Sequence, residues 1–251
     1  MNKTVWILWL QGWDNAPLLT KRCVESWKHS NPNWNVVTLD CKSMLDYINI
    51  PDYIPGFDKS KIDKPGYADI FRTLLINKYG GVWADSTLYC NKPLDEWLPK
   101  ETFLFYKPAV QHQISNWFIS GGEDPYMMDA WAKKVIKIWD TNVSKNHYPK
   151  ALGWHHRSFD NLYTSDIEFT KQWDATLKIS CFSNSLKRPL RGEGPHYFTP
   201  YQRYFQDTIS EEDKETIHSK IHPVYKLTHK TRLKVGSTVD YLLNSHTVTT
   251  L

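Results

Sequence analysis

The sequence predicts an α/β fold, and three observations in its first 90 residues carry that expectation. A continuous apolar run, Val5-Trp6-Ile7-Leu8-Trp9-Leu10, ends at Gln11-Gly12, and a second run, Asn35-Val36-Val37-Thr38-Leu39-Asp40, follows a segment with helical spacing. Unbroken apolar runs of this length suit strands buried on both faces, as in a parallel sheet. Strand, helix and strand within 40 residues make a βαβ unit. A longer helical pattern then stops at Gly80-Gly81 and passes into the short extended run Val82-Trp83-Ala84.

Each element has a local reason. Asn15-Ala16-Pro17 opens the first helix, because proline is tolerated in a first turn. Leu18, Leu19, Cys23 and Trp27 give its apolar spacing, and Ser30-Asn31-Pro32-Asn33 ends it. Residues 51–66 carry Pro51, Pro55, Gly56, Pro65 and Gly66 and read as loop. The second helix spans about 66–79 with a stripe of Ile70, Phe71, Leu74 and Leu75, and glycine suits the left-handed cap that closes it. Leu88-Tyr89-Cys90 reads as continuing extended after Asp85-Ser86-Thr87. Residues 102–106 and 117–119 are strand candidates, and 127–139 is helical. Residues 150–215 give no clear period, 211–221 has helical character, and the polar, Thr-rich tail reads as partly mobile. One domain over 1–251 is the simplest organisation.

Composition excludes several classes. The 251 residues carry a net charge of +4 with no run of five or six basic residues, so there is no nucleic-acid footprint. A mild positive charge suits an anionic small molecule or an anionic membrane surface. The 12 Trp and 14 Tyr either fill an aromatic core or offer flat faces for sugar rings and bases. Cysteines at 23, 41, 90 and 181 form no CxxC pair and read as buried, reduced thiols. The apolar run after Met1-Asn2-Lys3-Thr4 is too short for a signal peptide or a span. The expectation is a cytoplasmic protein, with peripheral attachment at the inner face of the membrane left open.

The chemistry gathers around the second helix. Asp69 and Arg72 are three residues apart and share a flank opposite the apolar stripe. They are either a solvent-facing ion pair or a ligand-binding pair. The helix leads through Gly80-Gly81 into a strand that ends at Asp85. Ligands of open α/β sheets bind at the carboxyl ends of strands.

The stretch Ala68-Asp69-Ile70-Phe71-Arg72, with Leu74-Leu75 and then Lys78-Tyr79-Gly80-Gly81-Val82-Trp83-Ala84-Asp85-Ser86-Thr87, resembles the donor-site signature of the DXD-containing sugar transferases. Among these are the capsular polysaccharide synthesis proteins, the yeast-type initiating α-mannosyltransferases and the glucosylating clostridial toxins. The first strand, Ser26-Trp27, the segment Ile114-Ser115-Asn116-Trp117-Phe118-Ile119 and the late Val224-Tyr225-Lys226-Leu227-Thr228-His229-Lys230 are similar to other parts of that family. The resemblance covers residues 4–140 well and is patchy afterwards.

It implies a GT-A type nucleotide-sandwich fold with an elaborated C-terminal half: a donor-binding part at 1–140 and an acceptor-binding part at 141–251. The implied activity is a hexosyl-type glycosyltransferase that uses a nucleoside-diphosphate sugar, with retention, on an oligosaccharide or lipid-linked glycan acceptor. Asp69 and Arg72 would hold donor-sugar hydroxyls. Trp9 would stack on the base with Leu10 next to it. Asp85, with Ser86 and Thr87, would contact the ribose or the metal shell, and Asn116 would lie near the transferred sugar. Asp85, Asp69 and Arg72 are the implied catalytic group.

One departure matters. The strict pattern ends in a second Asp, a usual ligand of Mn²⁺ or Mg²⁺, but this chain ends Asp85-Ser86-Thr87. Charge on the diphosphate could then be met by Lys226 or Lys230, or by an ion held by Asp85 with His229 or His222. Trp154-His155-His156-Arg157 and 191–198, with Arg191, Glu193 and His196, are acceptor candidates or plain loop. Two competing readings remain: a binding protein without catalysis, and a sugar-nucleotide hydrolase. A glycoside hydrolase using Asp69 as its acid is disfavoured, because Arg72 beside it would keep that acid ionised.

Overall fold

A computed structural model describes residues 1–106, 114–148, 153–181, 201–230 and 232–245. The chain runs β1 (Thr4–Leu8), α1 (Leu18–Ser30), β2 (Asn35–Leu39), α2 (Lys64–Tyr79), β3 (Val82–Ala84), β4 (Leu88–Cys90), β5 (Phe103–Tyr106) and β6 (Ile114–Ser120). It continues through α3 (Tyr126–Ser144), α4 (Trp154–Ser165), α5 (Ile167–Ala175), α6 (Tyr201–Gln206), α7 (Glu211–His218), β7 (Val224–Lys226) and α8 (Thr238–Asn244).

The main sheet has the order β2-β1-β3-β6-β5. β1 is parallel to both β2 and β3, while β6 is antiparallel to β3 and β5. The predicted α/β class holds, as a mixed sheet. Successive residues of β1 face opposite sides: Trp6 and Leu8 join a core with Ile70, Leu74 and Trp131, and Val5 and Ile7 join one with Val24 and Trp27. Both faces of the sheet are therefore covered, which is why β1 reads as an unbroken apolar run. Trp27, Trp83, Trp131, Trp139 and Trp173 are among the largest fully buried side chains, so much of the aromatic content goes to the core.

Several local expectations are corrected. β1 ends at Leu8, leaving Trp9 and Leu10 beyond the strand. Leu18 is 69% exposed, because α1 turns Leu19, Cys23 and Trp27 inward instead. Leu88-Tyr89-Cys90 does not prolong β3; it pairs antiparallel with β7 in a separate two-stranded sheet. Cys23, Cys90 and Cys181 are buried but Cys41 is exposed, just beyond the end of β2. Residues 154–175 form α4 and α5. Within the tail, α8 buries Val239, Leu242 and Leu243. The 191–198 segment lies outside the described residues.

α2 begins where the Asp63 side chain accepts from the Gly66 N–H, with Pro65 in the first turn. It stops at Gly80, whose φ of 65° is the positive value glycine tolerates. Gly81 has φ 79°, and a Cβ there would sit 2.5 Å from the Thr4 carbonyl oxygen. The turn thus presses against β1 and drops β3 into register beside it. From there Asp85 N–H bonds the Trp117 carbonyl at 2.9 Å, continuing the β3–β6 ladder past its last pair, Ala84 with Phe118. That register sets Asn116 next to the strand end that carries Asp85.

Replacing Gly81 with Ala should lower stability by about 2 kcal/mol or more, from backbone strain plus the clash. Gly12→Ala also has a positive φ, 86°, but meets nothing within 4 Å, and should cost only about 1 kcal/mol. Urea midpoints check this: equal shifts for the two variants would contradict the close approach.

Candidate active site

Arg72 is the centre of the site. Its Nη2 lies 3.2 Å from Asp69 Oδ1 and its Nη1 3.1 Å from Asp85 Oδ1. Its Nε donates to the Ala68 carbonyl at 3.2 Å, and Nη1 also donates to the Asn116 carbonyl. The guanidinium stacks 5.0 Å from the Trp83 ring centroid, a geometry that suits Arg better than Lys. Asp69 and Arg72 are each only 6% exposed. The expected outward flank of α2 is thus an inward one. The apolar stripe faces the core, and the flank bearing Asp69 and Arg72 is covered by β6 and α4 through Asn116 and His155.

A neutral relay backs Asp69. Asn116 Nδ2 donates to Asp69 Oδ1 at 2.8 Å and lies 3.0 Å from His155 Nδ1. His155 Nε2 lies 2.7 Å from Thr73 Oγ1, which in turn donates to the Asp69 carbonyl at 2.9 Å. The directions are consistent with one tautomer: Nδ1 accepts from Asn116, and Nε2–H donates to Thr73. His155 is fully buried and stacked on Trp131 at 4.4 Å. Burial, with the nearby Arg72 and His156, holds it well below the ordinary histidine range, so it is neutral. Burial also pushes the Asp69 carboxyl up, to about 7, against the pull of Arg72. His155 belongs to the Trp154-His155-His156-Arg157 segment, which reads in sequence as an acceptor candidate or plain loop; the segment is not loop but the first turn of α4, and His155 meets Asn116 and Thr73.

Asp85 faces a cation at each oxygen. Oδ1 takes Arg72 and, at 3.0 Å, the Trp83 Nε1–H; Oδ2 takes Lys226 Nζ at 2.7 Å. Burial would raise its carboxyl, but Lys226 and Arg72 outweigh that and hold it below the ordinary range. Lys226 also donates to Thr87 Oγ1 at 2.8 Å. The strand pairing accounts for this: Leu88 is registered with Lys226, and Leu227 N–H bonds the Thr87 carbonyl at 2.9 Å. A resident Mn²⁺ or Mg²⁺ needs oxygen ligands open to it. With both Asp85 oxygens on cations and Thr87 engaged by Lys226, the residues as arranged do not fit one.

The other expected residues fall around this cluster. Ser86 is half-buried. His229 is exposed and stands edge-on to Trp9 at 5.2 Å, and Lys230 is exposed beyond it. His222 is half-buried against Tyr225 at 5.8 Å. Among the described residues no three His, Cys, Asp or Glu side chains gather so as to hold an ion. The Trp9 indole N–H is buried and, among the described residues, has no hydrogen-bond partner. Leu10 lines a cleft of about 580 Å³ with Cys41, Met44, Phe57, Ile62 and Tyr67. The cleft opens past the carboxyl ends of β1 and β2, the place where α/β sheets hold ligands.

None of Asp69, Arg72, Asp85, Asn116, His155 and Lys226 lines that cleft. The family model of the capsular polysaccharide synthesis proteins matches residues 1–245, and the chain belongs to that family. It is 25% identical over 170 residues to the O-glycosyltransferase braB of Annulohypoxylon truncatum, covering 58% of this chain and 40% of that protein. It is 24% identical over 183 residues to the initiation-specific alpha-1,6-mannosyltransferase of Candida albicans, covering 60% of this chain and 46% of that protein. The chain thus spans less than half the length of these curated relatives. Among solved structures it is similar to the PaToxG glycosyltransferase, with a TM-score of 0.47, 17% identity, and coverage of 69% of this chain and 73% of that one.

Two outcomes follow from the burial. Arg72→Ala should cost about 3 kcal/mol, because it leaves the buried Asp69 carboxyl without its cation; a denaturation midpoint equal to that of the unmodified protein would show the pair to be surface-like. His155, with its folded value below the unfolded 6.5, contributes stability that is present above pH 6.5 and lost as pH falls. His155→Gln removes that titration, so its urea midpoint should fall less steeply between pH 6.5 and pH 5. Parallel pH profiles would contradict a buried neutral histidine.

Proposed function

We propose that this chain is a hexosyl-type glycosyltransferase of GT-A type. It would take a sugar from a nucleoside-diphosphate donor and pass it to a hydroxyl of a surface-glycan acceptor, an oligosaccharide or a lipid-linked glycan, with retention. The observation that carries this reading is the Asp69–Arg72–Asp85–Asn116 cluster at the end of β3, in which Asp69 and Arg72 are buried and Asp85 and Asn116 half-buried. Family membership and the glycosyltransferase names of the relatives support it. Retention, the GT-A arrangement and the surface-glycan setting come from the family resemblance alone.

The chemistry follows from charge. Displacing a diphosphate from an anomeric carbon builds positive charge on the sugar and negative charge on the leaving group. Groups fixed in place before the reaction stabilise that separation without reorganising. Arg72 and Lys226 are the two buried cations of the cluster and would face the leaving diphosphate. The Asp69 carboxylate and the Asn116 amide would bind sugar hydroxyls, one accepting and the other able to donate or accept. Trp9, with a buried N–H lacking a partner among the described residues, would stand by the base, with Leu10. A divalent ion, if donor binding brought one, would supply further positive charge to the diphosphate; no step here is assigned to it.

The second reading is a sugar-nucleotide-binding protein without turnover, favoured by Thr87 in place of a second acid. Among the described residues no helix is long and apolar enough to cross a membrane, and a cytoplasmic site at the inner membrane face is part of the proposal.

A thermal-shift screen of UDP-, GDP-, dTDP- and CMP-sugars separates the readings when paired with a nucleotide-release assay. A shift with one diphosphate sugar, and release of its nucleotide that Asp85→Asn cuts by about a hundredfold or more, is the expected result. A shift without release would favour the binding protein, and no shift with any donor would reject both.

A further inference from the structure

We propose that the Lys226 ammonium is this chain's built-in counter-cation for the donor diphosphate, so that donor binding does not require a divalent ion. The inference rests on the donor-site reading above. Its support is the way β7 delivers the lysine. Pairing of Leu88 with Lys226 and of Leu227 N–H with the Thr87 carbonyl fixes the lysine backbone beside the Asp85-Ser86-Thr87 strand end. The side chain is 9% exposed, and its Nζ sits 2.7 Å from Asp85 Oδ2 and 2.8 Å from Thr87 Oγ1.

An ammonium group has three donors. Two are used by Asp85 and Thr87, and among the described residues the third has no partner. It is the donor available to a phosphate oxygen. Thr87, where the strict pattern has an acid, is what makes the arrangement stable: a second carboxylate there would leave Asp85 and its neighbour over-charged for one lysine, whereas a hydroxyl simply accepts a hydrogen bond from it. The strand end thus carries one negative charge, met by Lys226 on one oxygen and by Arg72 on the other, and Arg72 also reaches Asp69.

The surroundings add positive charge. Burial, Lys230 and Lys226 together hold His229 below the ordinary histidine range, which places the three groups within each other's field. A dication entering here would meet that field, and would have to displace Lys226 from both oxygens before it could reach Asp85. A diphosphate meets the same field as attraction.

Calorimetric titration with UDP, GDP and dTDP, each in excess chelator and again in millimolar Mn²⁺, tests this on the unmodified protein. The expected result is that the nucleotide that binds does so with a dissociation constant that changes by less than about threefold between the two conditions. Binding seen only with Mn²⁺ would overturn the proposal and leave the donor site standing. No binding of any nucleotide in either condition would overturn the donor site, and this proposal with it. Lys226→Met, checked for folding by its denaturation curve, should lose at least tenfold in chelator and regain affinity with Mn²⁺, because Asp85 Oδ2 is then open. A folded Lys226→Met that binds as tightly as the unmodified protein in chelator would also overturn it. The two titrations of the unmodified protein decide the matter even if the variant does not fold.

Discussion

Arg72 holds one buried and one half-buried carboxylate in place, and the rest of the site is arranged around that constraint. Two carboxylates drawn into a low-dielectric interior repel one another, and each loses its water. One guanidinium reaches both, with contacts of 3.2 Å to Asp69 and 3.1 Å to Asp85. The planar fork makes this possible, because separate N–H groups can point at separate acids. The two acids nonetheless end in opposite states. Asp85 has a second cation and is held low, whereas Asp69 has burial against it and is raised to about 7. A single guanidinium thus faces one carboxylate held low and one pushed up.

The backbone serves that constraint at several distances. The Gly80-Gly81 turn lets α2 run directly into β3, which sets Arg72 above the strand whose end carries Asp85. β6 returns antiparallel and brings Asn116 to Asp69. α4 and β7, both from the C-terminal part of the chain, contribute His155 and Lys226. Residues 1–140 therefore supply the acids and the arginine, while the later residues supply the groups that fix their orientation and charge.

Much of the Asp69–Arg72–Asp85 cluster was legible in sequence because its signals are local. Proline and glycine mark the ends of α2, the unbroken run of β1 marks a strand covered on both faces, and Asp69 and Arg72 are one helical turn apart. Burial of that pair was not legible, since the residues that cover it, Asn116 and His155, are 44–47 and 83–86 positions away in the chain. β4 and β7 have three residues each, too few to show a period, and their pairing joins segments more than 130 residues apart. α4 was missed for a different reason. Its buried face is Trp154, His155, Ser158, Phe159 and Leu162, a helical spacing in which two positions are polar, so a search for apolar residues does not find it. The same two positions are hydrogen-bonded, His155 to the site and Ser158 from the Trp131 indole, which is what allows polar groups to stand there. Exposure of Cys41 likewise depends on the cleft behind it and not on its neighbours in sequence.

The missing second acid and the buried lysine are best understood together. A strand end with two carboxylates needs a dication to be neutral, and the dication in turn needs both carboxylates as ligands. Replacing one acid by Thr87 removes a charge and a ligand at once, so a monovalent cation becomes sufficient. Lys226 supplies that cation covalently, from a strand whose register is held by main-chain hydrogen bonds. The cost of ordering it is met in folding, whereas a free ion must be captured from solution at each turnover. Seen this way, Asp85-Ser86-Thr87 is half of a feature whose other half lies on β7, 139 positions away from Thr87.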